Sequence, residues 1–250
     1  EQLSPEDISY VLELARGFRE ISRRPVRKVP TLQGKTAILA FFEPSTRTRV
    51  SFEMAAKRLS ADTYAISSSG SSVVKGETLI DTIRNLEAMH IDLVVMRHKS
   101  SGAHHLLMKH IDTPIINAGD GYHEHPTQAL LDMLTIQEAK GDFKGLKVAI
   151  VGDITHSRVA HSNIIGLTKM GAEVRLCGPF SMIPQFIEEL GIKEQVHVFP
   201  RVEAAIEGAD VVMALRIQKE RMPKHIFPSD REYAMYFGLN AGNIHLAKED

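Results

Sequence analysis

The sequence predicts an α/β fold of two domains, each a mostly parallel sheet flanked by helices. The chain has 250 residues, enough for one large domain or two modest ones. Short apolar segments alternate with amphipathic helical ones, the pattern of parallel sheets covered by helices. This pattern reaches a longer helix over about residues 126–139 and then starts again. We therefore expect a first domain over residues 1–132 and a second over residues 145–250, joined through that helix.

The elements of the first half follow from local signals. Ser4-Pro5-Glu6-Asp7 predicts a helix start, because it supplies an N-cap, a proline at the first helical position and acids in the first turn. The apolar and amphipathic segments that follow predict strands at 36–42, 63–66, 91–96 and 114–117, and helices at 46–59, 78–89 and 102–110.

The second half repeats the pattern. Its segments predict strands at 147–151, 173–177, 196–199 and 210–214, and helices at 158–170, 183–190, 202–206 and 230–237. The sequence stops at residue 250, where another strand is expected, so the second domain is expected to be truncated at its C-terminus.

Composition excludes several classes of protein. The net charge is −1, so no bulk attraction to nucleic acid or anionic membrane is built in. The single cysteine, Cys177, allows neither an intrachain disulfide nor a cysteine-based zinc site, which fits a reducing cytoplasm. No apolar run approaches the ~20 residues of a membrane span. We expect a cytoplasmic protein with no nucleic-acid or membrane partner.

A phosphate site is indicated where the first predicted strand ends. Pro44 turns the chain, and the motif Ser45-Thr46-Arg47-Thr48-Arg49 opens a helix. A helix N-terminus leaves backbone N–H groups unpaired and carries partial positive charge, so it binds phosphate readily. Arg47 can add bidentate, charge-assisted bonds. The alternative is an N-capped helix with solvated arginines, and the stretch alone does not decide between the two.

This motif resembles the carbamoyl phosphate signature of the aspartate and ornithine carbamoyltransferase family. The resemblance implies that Ser45, Thr46, Arg47 and Thr48 hold the phosphate, with Thr48 also reaching the carbamoyl oxygen. Two further segments are similar to the family, Met96-Arg97-His98 after a strand and His125-Pro126-Thr127-Gln128 at a helix start. They imply that Arg97 contacts carbamoyl phosphate, that His125 bonds its carbonyl and that Gln128 bonds its amide.

The loop over residues 67–77 is rich in serine and glycine. By its composition it is a flexible loop with one cation. By resemblance it is the mobile loop that each subunit of a homotrimer lends to its neighbour's active site. Ser71 and Lys75 are then the contributed residues, and Lys75 serves both substrates. Val74 stands where some family members have a second lysine.

The second half contains two arginine segments that resemble the family's acceptor site. Arg158 follows a strand and opens a helix, and the segment Arg216-Ile217-Gln218-Lys219-Glu220-Arg221 lies after another strand. The resemblance implies that Arg158, Arg216 and Gln218 bind aspartate, because arginines on separate loops can hold both carboxylates. A surface ion-pair cluster around Glu220 is the alternative. This segment separates aspartate from ornithine as the acceptor.

The resemblance thus implies transfer of a carbamoyl group from carbamoyl phosphate to L-aspartate, the committed step of de novo pyrimidine biosynthesis. It calls for no cofactor and no metal, and it assigns the catalytic roles to Arg47, Thr48, Lys75, Arg97 and His125. A carbamoyltransferase for another amine remains open, as does an inactive homologue acting as a scaffold, since a C-terminal segment of the family is absent from this sequence. Regulatory chains or other pathway enzymes remain open as partners.

Two other classes of site fit poorly. A dinucleotide site is rejected because Gly152 stands alone and no acid follows the next strand. A metal site is suggested by His104-His105, by His123-Glu124-His125 and by His156 with His161. Their spacings do not give the usual helical pair, and no third ligand is evident. We expect most of these histidines to be solvated or structural.

Overall fold

The computed structural model describes residues 1–67, 77–184, 194–217 and 229–249. The chain forms two compact units. The first unit comprises residues 13–127, and the second comprises residues 1–12 together with residues 128–250. Within the described residues each unit contains a four-stranded parallel sheet with helices, which confirms the predicted fold class.

The sheet of the first unit has the strand order β2-β1-β3-β4, and every neighbouring pair is parallel. Its strands are β1 Thr36–Phe41, β2 Asp62–Ser67, β3 Leu93–His98 and β4 Ile115–Asp120. The helices of this part of the chain are α1 Pro5–Ser22, α2 Thr46–Arg58, α3 Leu79–Glu87 and α4 Ala103–Leu107.

The sheet of the second unit has the order β7-β6-β5-β8 and is also parallel in its described strands. Its strands are β5 Lys147–Val151, β6 Glu173–Cys177, β7 Val196–Phe199 and β8 Val211–Ala214. The helices are α5 Pro126–Lys140, which begins at the junction of the units, α6 Arg158–Lys169, α7 Val202–Ile206 and α8 Asp230–Phe237.

The central strands of both sheets are buried on both faces, as in parallel sheets covered by helices. Along β1, Ile38 faces one apolar cluster together with Val94, while Leu39 faces another together with Val95. The second unit repeats this alternation. Alternate side chains of a strand point to opposite faces, so the central strands β1 and β5 each contribute to two apolar clusters.

The N-terminal helix begins as predicted. The backbone N–H of Asp7 donates to Ser4 Oγ at 3.1 Å, and the backbone N–H of Ser4 donates to the Asp7 carboxylate at 2.9 Å. This reciprocal pair satisfies two donors at the helix start. Ile8 and Leu12 on α1 then pack into the apolar cluster of the second unit.

One strand boundary differs in a way that matters for the site. The strand predicted over 91–96 is β3 Leu93–His98, so Arg97 lies within the strand and does not follow it. Arg97 pairs in register with Phe41, and His98 with Asp120. Apolar periodicity missed this end because the strand continues into polar residues. The helix predicted over 183–190 lies, from residue 185 onward, outside the described residues.

Each sheet has a point where the chain reverses its direction of winding. In the first unit the chain passes from β1 to β2 on one side, and then returns to β3 on the other side of β1. In the second unit the corresponding point lies between β5 and β8. Open α/β sheets bind ligands at the carboxyl ends of the strands beside such switch points. These two positions are therefore where the fold itself predicts ligand binding.

No helix within the described residues is both long enough and apolar enough to cross a lipid bilayer.

Candidate active site

The switch point of the first unit is occupied by a buried ion pair. The Arg97 side chain is 7% exposed, and its Nη2 lies 2.8 Å from Glu43 Oε1. Its Nη1 donates to the Ala118 carbonyl at 3.2 Å. The backbone carbonyl of Arg97 also accepts from the N–H groups of Phe42 and Glu43. The guanidinium is thus fixed at the carboxyl ends of β1, β3 and β4, and its positive charge lies at this edge of the sheet.

The start of α2 lies a few residues beyond Glu43. Ser45 is the N-cap in extended conformation, but among the described residues its hydroxyl makes no capping bond to the helix backbone. It donates instead to Thr48 Oγ1 at 3.0 Å. The start of α2 therefore presents first-turn N–H groups without a side-chain cap from Ser45, and such a helix N-terminus can bind an anion. Thr46 and Arg47 are exposed beside them.

His125 reaches the same edge of the sheet from β4. That strand ends at Asp120, and a short turn leads to His125, immediately before α5 begins at Pro126. The imidazole is buried, and its Nδ1 lies 3.5 Å from Thr127 Oγ1. The structure accordingly places the α2 start, Arg97 and His125 at the carboxyl ends of three neighbouring strands, β1, β3 and β4, at one edge of one sheet.

Gln128 is held by a polar network that sequence reasoning missed. Its Nε2 donates to Asp132 Oδ1 at 2.9 Å, and Asn163 Nδ2 donates to Asp132 Oδ2 at 2.7 Å. Asn163 is fully buried and also donates to the Val159 carbonyl. Because the amide nitrogen of Gln128 faces Asp132, the orientation of the amide is fixed and its carbonyl oxygen points to the other side, where it can accept a bond from a ligand.

In the second unit, Arg158 and Arg216 lie at the switch point. Arg158 is the first residue of α6 after β5 and is 5% exposed, whereas Arg216 follows β8 and is exposed. Ser157 caps α6 by accepting the Ala160 N–H at 3.2 Å. The backbone N–H of Leu215 donates to the Val151 carbonyl at 2.8 Å. The two arginines thus lie just after the carboxyl ends of the adjacent strands β5 and β8.

Glycines permit the close approach of these strand ends. Gly152 has φ +135°, and a Cβ there would lie 2.9 Å from Leu215 Cβ. A Cβ at Gly178, at the end of β6, would lie 2.2 Å from the Gly152 carbonyl oxygen. Side chains at either position would push the strand ends apart, so close chain packing accounts for the lone glycine after β5.

Several predicted site residues lie outside the described residues. These are Ser71 and Lys75 of the predicted mobile loop, and Gln218 after β8. The structural roles of the three remain predictions.

The remaining histidines and the cysteine have mostly structural surroundings. His104 Nε2 lies 2.9 Å from the Met96 carbonyl, and His156 Nδ1 lies 2.9 Å from Asp153 Oδ1. Burial raises the pKa of Cys177 to about 12, so it remains a thiol at neutral pH and is a poor nucleophile. His105 lies beside His123 and Glu124, a neighbourhood that the sequence did not reveal.

Comparison with known proteins agrees with this arrangement. The model of the aspartate/ornithine carbamoyltransferase, carbamoyl-P binding domain matches residues 1–138. The model of the aspartate/ornithine carbamoyltransferase, Asp/Orn binding domain matches residues 144–250. The aspartate carbamoyltransferase catalytic subunits of Desulforapulum autotrophicum and Syntrophotalea carbinolica are 59% and 60% identical over 250 residues. In both cases the match covers 100% of this chain and 79% of the relative.

Solved structures give the same picture. Aspartate transcarbamoylase from Trypanosoma cruzi, in complex with carbamoyl aspartate and phosphate, matches with a TM-score of 0.88 and 32% identity. That match covers 100% of this chain and 80% of the other. The catalytic subunit of M. jannaschii aspartate transcarbamoylase matches with a TM-score of 0.78 and 38% identity, covering 94% and 76%.

The structure thus defines a parallel α/β protein with arginines at the switch points of both sheets. The chain belongs to the aspartate/ornithine carbamoyltransferase family.

Proposed function

We propose that this chain transfers the carbamoyl group of carbamoyl phosphate to the α-amine of L-aspartate, giving N-carbamoyl-L-aspartate and phosphate. The observation that carries the proposal is the pair of switch points, one with a phosphate-type helix start and the other with Arg158 and Arg216. The names of the relatives, and the carbamoyl aspartate and phosphate bound to the Trypanosoma cruzi enzyme, support the same reaction. The product belongs to the committed step of pyrimidine synthesis.

In this proposal the first unit binds the donor. Ser45, Thr46, Arg47 and Thr48 hold the phosphate at the start of α2, where backbone N–H groups and the guanidinium neutralise it. Thr48, Arg97 and His125 direct donors at the carbamoyl oxygen, where negative charge develops in the transition state. Arg97 suits this role because its position is already fixed by Glu43 and Ala118.

Gln128 completes recognition of the donor through its oxygen. The carbamoyl group ends in an amide NH2, which requires an acceptor, and the bond from Gln128 Nε2 to Asp132 leaves the Gln128 oxygen to provide it. Asp132 is then a positioning residue, since it fixes the orientation of the amide without touching the substrate.

The second unit binds the acceptor. Arg158 and Arg216 hold the two carboxylates of aspartate, with Gln218 and Lys75 adding polar contacts. Two arginines on separate strand ends match a small dicarboxylate better than they match ornithine, whose side-chain ammonium requires an acid.

The chemistry needs no covalent intermediate on the protein. The neutral α-amine attacks the carbamoyl carbon, forming a C–N bond and a tetrahedral intermediate. The C–O bond to phosphate then breaks, and the departing phosphate takes the amine proton. Arg47, Lys75 and the α2 N-terminus stabilise the leaving phosphate. Positioning of two small anions provides much of the rate acceleration.

We also propose that the chain forms a homotrimer in which the loop over 67–77 enters a neighbouring site. Apolar residues on α2 support a contact between subunits: Val50 is 42% exposed and Met54 is 46% exposed, one helical turn apart. Tyr64 on the edge strand β2 is also exposed. Mixing Lys75→Ala chains with Arg47→Ala chains should restore activity, since some sites in mixed trimers receive both native residues. Mixed trimers without activity would contradict shared sites.

We also propose limits for the two domains. Residues 1–132 form the carbamoyl phosphate domain and residues 145–250 the aspartate domain, joined through α5. The two family models, which match 1–138 and 144–250, support this division. A cytoplasmic location follows from the proposed substrates, and regulatory chains or other pathway enzymes stay open as partners.

Paired arginine variants test the donor site. Arg47→Ala should weaken carbamoyl phosphate binding ~30-fold or more, because truncating a charge-assisted contact costs ~2–5 kcal/mol. Arg49→Ala removes the same charge from the same turn, but its side chain faces a different side of α2. Calorimetric titration with carbamoyl phosphate measures both. Equal losses in the two variants would show that α2 attracts the anion by charge alone and would contradict the assigned site.

A further inference from the structure

Three side chains that the proposed reaction does not use meet on the first unit. His105, His123 and Glu124 each offer a ligand atom, and these atoms lie within 4.8 Å of one another. The ring centroids of His105 and His123 are 6.0 Å apart. Glu124 is 7% exposed, while both histidines are half-buried. A group with two imidazoles and a carboxylate is the donor set of many zinc sites.

The turn that carries two of these ligands is rigid. The Asp120 N–H donates to the Glu124 carbonyl at 2.9 Å, and the His123 N–H donates to the Asp120 carbonyl at 2.8 Å. Gly121 has φ +53°, and a Cβ there would lie 2.4 Å from Ser101 Oγ. The turn is therefore packed tightly against the segment that leads into α4, the helix of His105.

One buried carboxylate contacts His123 and the residue before α4, the helix that carries His105. Asp120 Oδ2 lies 3.0 Å from His123 Nδ1 and accepts the Gly102 N–H at 3.1 Å. The contact from Asp120 Oδ2 to His123 Nδ1 favours the His123 tautomer with a proton on Nδ1 and a lone pair on Nε2.

This arrangement is the one in which a metal-binding histidine is usually supported. Histidine ligands commonly donate their second ring N–H to a carboxylate, which fixes the ring and raises the basicity of the ligating nitrogen. Asp120 supplies that carboxylate to His123. Through Gly102, which precedes α4, it also fixes the helix that presents His105.

We propose that His105, His123 and Glu124 bind a divalent transition-metal ion of the zinc class, with a fourth position open to water. Imidazole ligands favour zinc and its neighbours, whereas magnesium and calcium prefer oxygen donors. Ligand atoms around tetrahedral zinc lie ~3.4 Å apart at bond lengths of ~2.1 Å. The largest distance between the ligand atoms of His105, His123 and Glu124 must therefore decrease when a metal ion binds. Rotation of the half-buried His105 side chain on the short helix α4 can bring about this decrease.

The site is distinct from the proposed chemistry, although it lies beside it. Glu124 immediately precedes His125, but no step of the proposed carbamoyl transfer passes through Glu124, His123 or His105. Metal binding can accordingly be measured without any activity assay. Failure of the proposed function would leave the result of the metal titration unaffected.

Titration of the full 250-residue chain with Zn2+, after removal of bound metal by a chelator, tests the proposal. Calorimetry should show one ion per chain, and Co2+ should give the absorption bands of a four-coordinate site with nitrogen and oxygen ligands. His105→Gln and His123→Gln should each raise the Zn2+ dissociation constant by ~100-fold or more, since even loss of a supporting residue costs ~10–100-fold. His110→Gln, which removes an exposed histidine from the same unit, should leave binding unchanged.

His105→Gln is the decisive variant because its side chain is half-buried on α4 and its replacement leaves the Asp120 contacts in place. Circular dichroism and thermal melting in the absence of metal should match the parent chain. Zn2+ binding that is absent from the parent chain, or that survives His105→Gln unchanged, would overturn the proposal.

Discussion

Asp132→Asn tests how the chain orients the amide of Gln128. In the structure, Asp132 accepts one bond from Gln128 at 2.9 Å and one from Asn163 at 2.7 Å. An asparagine at position 132 has one acceptor oxygen and one NH2 group, so one of the two amide donors must then face another donor. Asn163 is buried and also bound to Val159, so Gln128 is the side chain that turns over. Its NH2 would then face the NH2 of carbamoyl phosphate.

The expected magnitude follows from the bonds that are lost. Leaving the carbamoyl NH2 without its acceptor costs ~1–3 kcal/mol, which corresponds to a ~5–150-fold change. Asp132→Asn should lower kcat/KM for carbamoyl phosphate within this range, while KM for aspartate changes little. Initial-rate measurements at varied carbamoyl phosphate, with calorimetric titration of the same ligand, provide the assay.

Two further variants decide the interpretation. Glu138→Gln makes the same acid-to-amide change at an exposed position of α5 and should have no effect. Once Gln128→Ala has removed the amide, Asp132→Asn should cause little additional loss, because residues of one network are not additive. Full activity in Asp132→Asn, or additive losses in the double variant, would refute the orienting role.

Three other outcomes follow from the same contacts. Glu43→Gln removes the charge beside a buried arginine and should reduce the unfolding free energy by up to ~3–5 kcal/mol. Glu53→Gln, in a solvent-exposed ion pair, should reduce it by less than ~1 kcal/mol. Urea denaturation measures both variants, and equal losses would contradict the stabilising role of the buried pair. Gly178→Ala should destabilise the chain by at least ~1–3 kcal/mol, because the alanine Cβ would lie 2.2 Å from the Gly152 carbonyl oxygen. An unchanged denaturation midpoint would show that the strand ends can separate without a free-energy cost. The pKa of Asp120 is lowered from 3.8 to about 2, so its contribution of ~2 kcal/mol to the free energy of unfolding is present above the unfolded pKa and disappears as the pH falls through about 2. Between pH ~5 and pH ~2, the free energy of unfolding should fall more steeply in the parent chain than in Asp120→Asn. Parallel curves for the two chains would contradict this contribution.

Much of the fold could be predicted because its signals are local. Apolar periodicity located β5 Lys147–Val151 and β6 Glu173–Cys177 at their observed limits, and the Ser4-Pro5 pair located the first helix. Short, regular elements with clear caps depend on neighbouring residues, which the sequence displays directly. The polar end of β3 could not be found in this way, since its pairing with β1 and β4 depends on residues far away in the chain.

The same distinction between local and long-range signals applies to the candidate site. Motifs pointed to Arg47, Arg97 and Arg158 because their neighbours are distinctive. The Gln128–Asp132 pair was visible in principle, since residues four apart share a helix face. The contact from Asn163 was not, because it comes from another helix, 31 positions away.

The sequence did not reveal the cluster of His105, His123 and Glu124 for a comparable reason. His105 and His123 come from different elements, and long-range contacts such as the bonds of Asp120 to both regions bring them together. Spacing along the chain therefore suggested no third ligand, although the fold supplies one.

The most direct test of the proposed function is product formation by the 250-residue chain from carbamoyl phosphate with L-aspartate, and in parallel with L-ornithine. Chromatography with mass detection identifies carbamoyl aspartate and citrulline separately. We predict carbamoyl aspartate and phosphate in equal amounts, with no citrulline. Citrulline as the main product would contradict the assignment of Arg158 and Arg216 to a dicarboxylate, and no product with either amine, despite carbamoyl phosphate binding, would contradict catalysis by this chain.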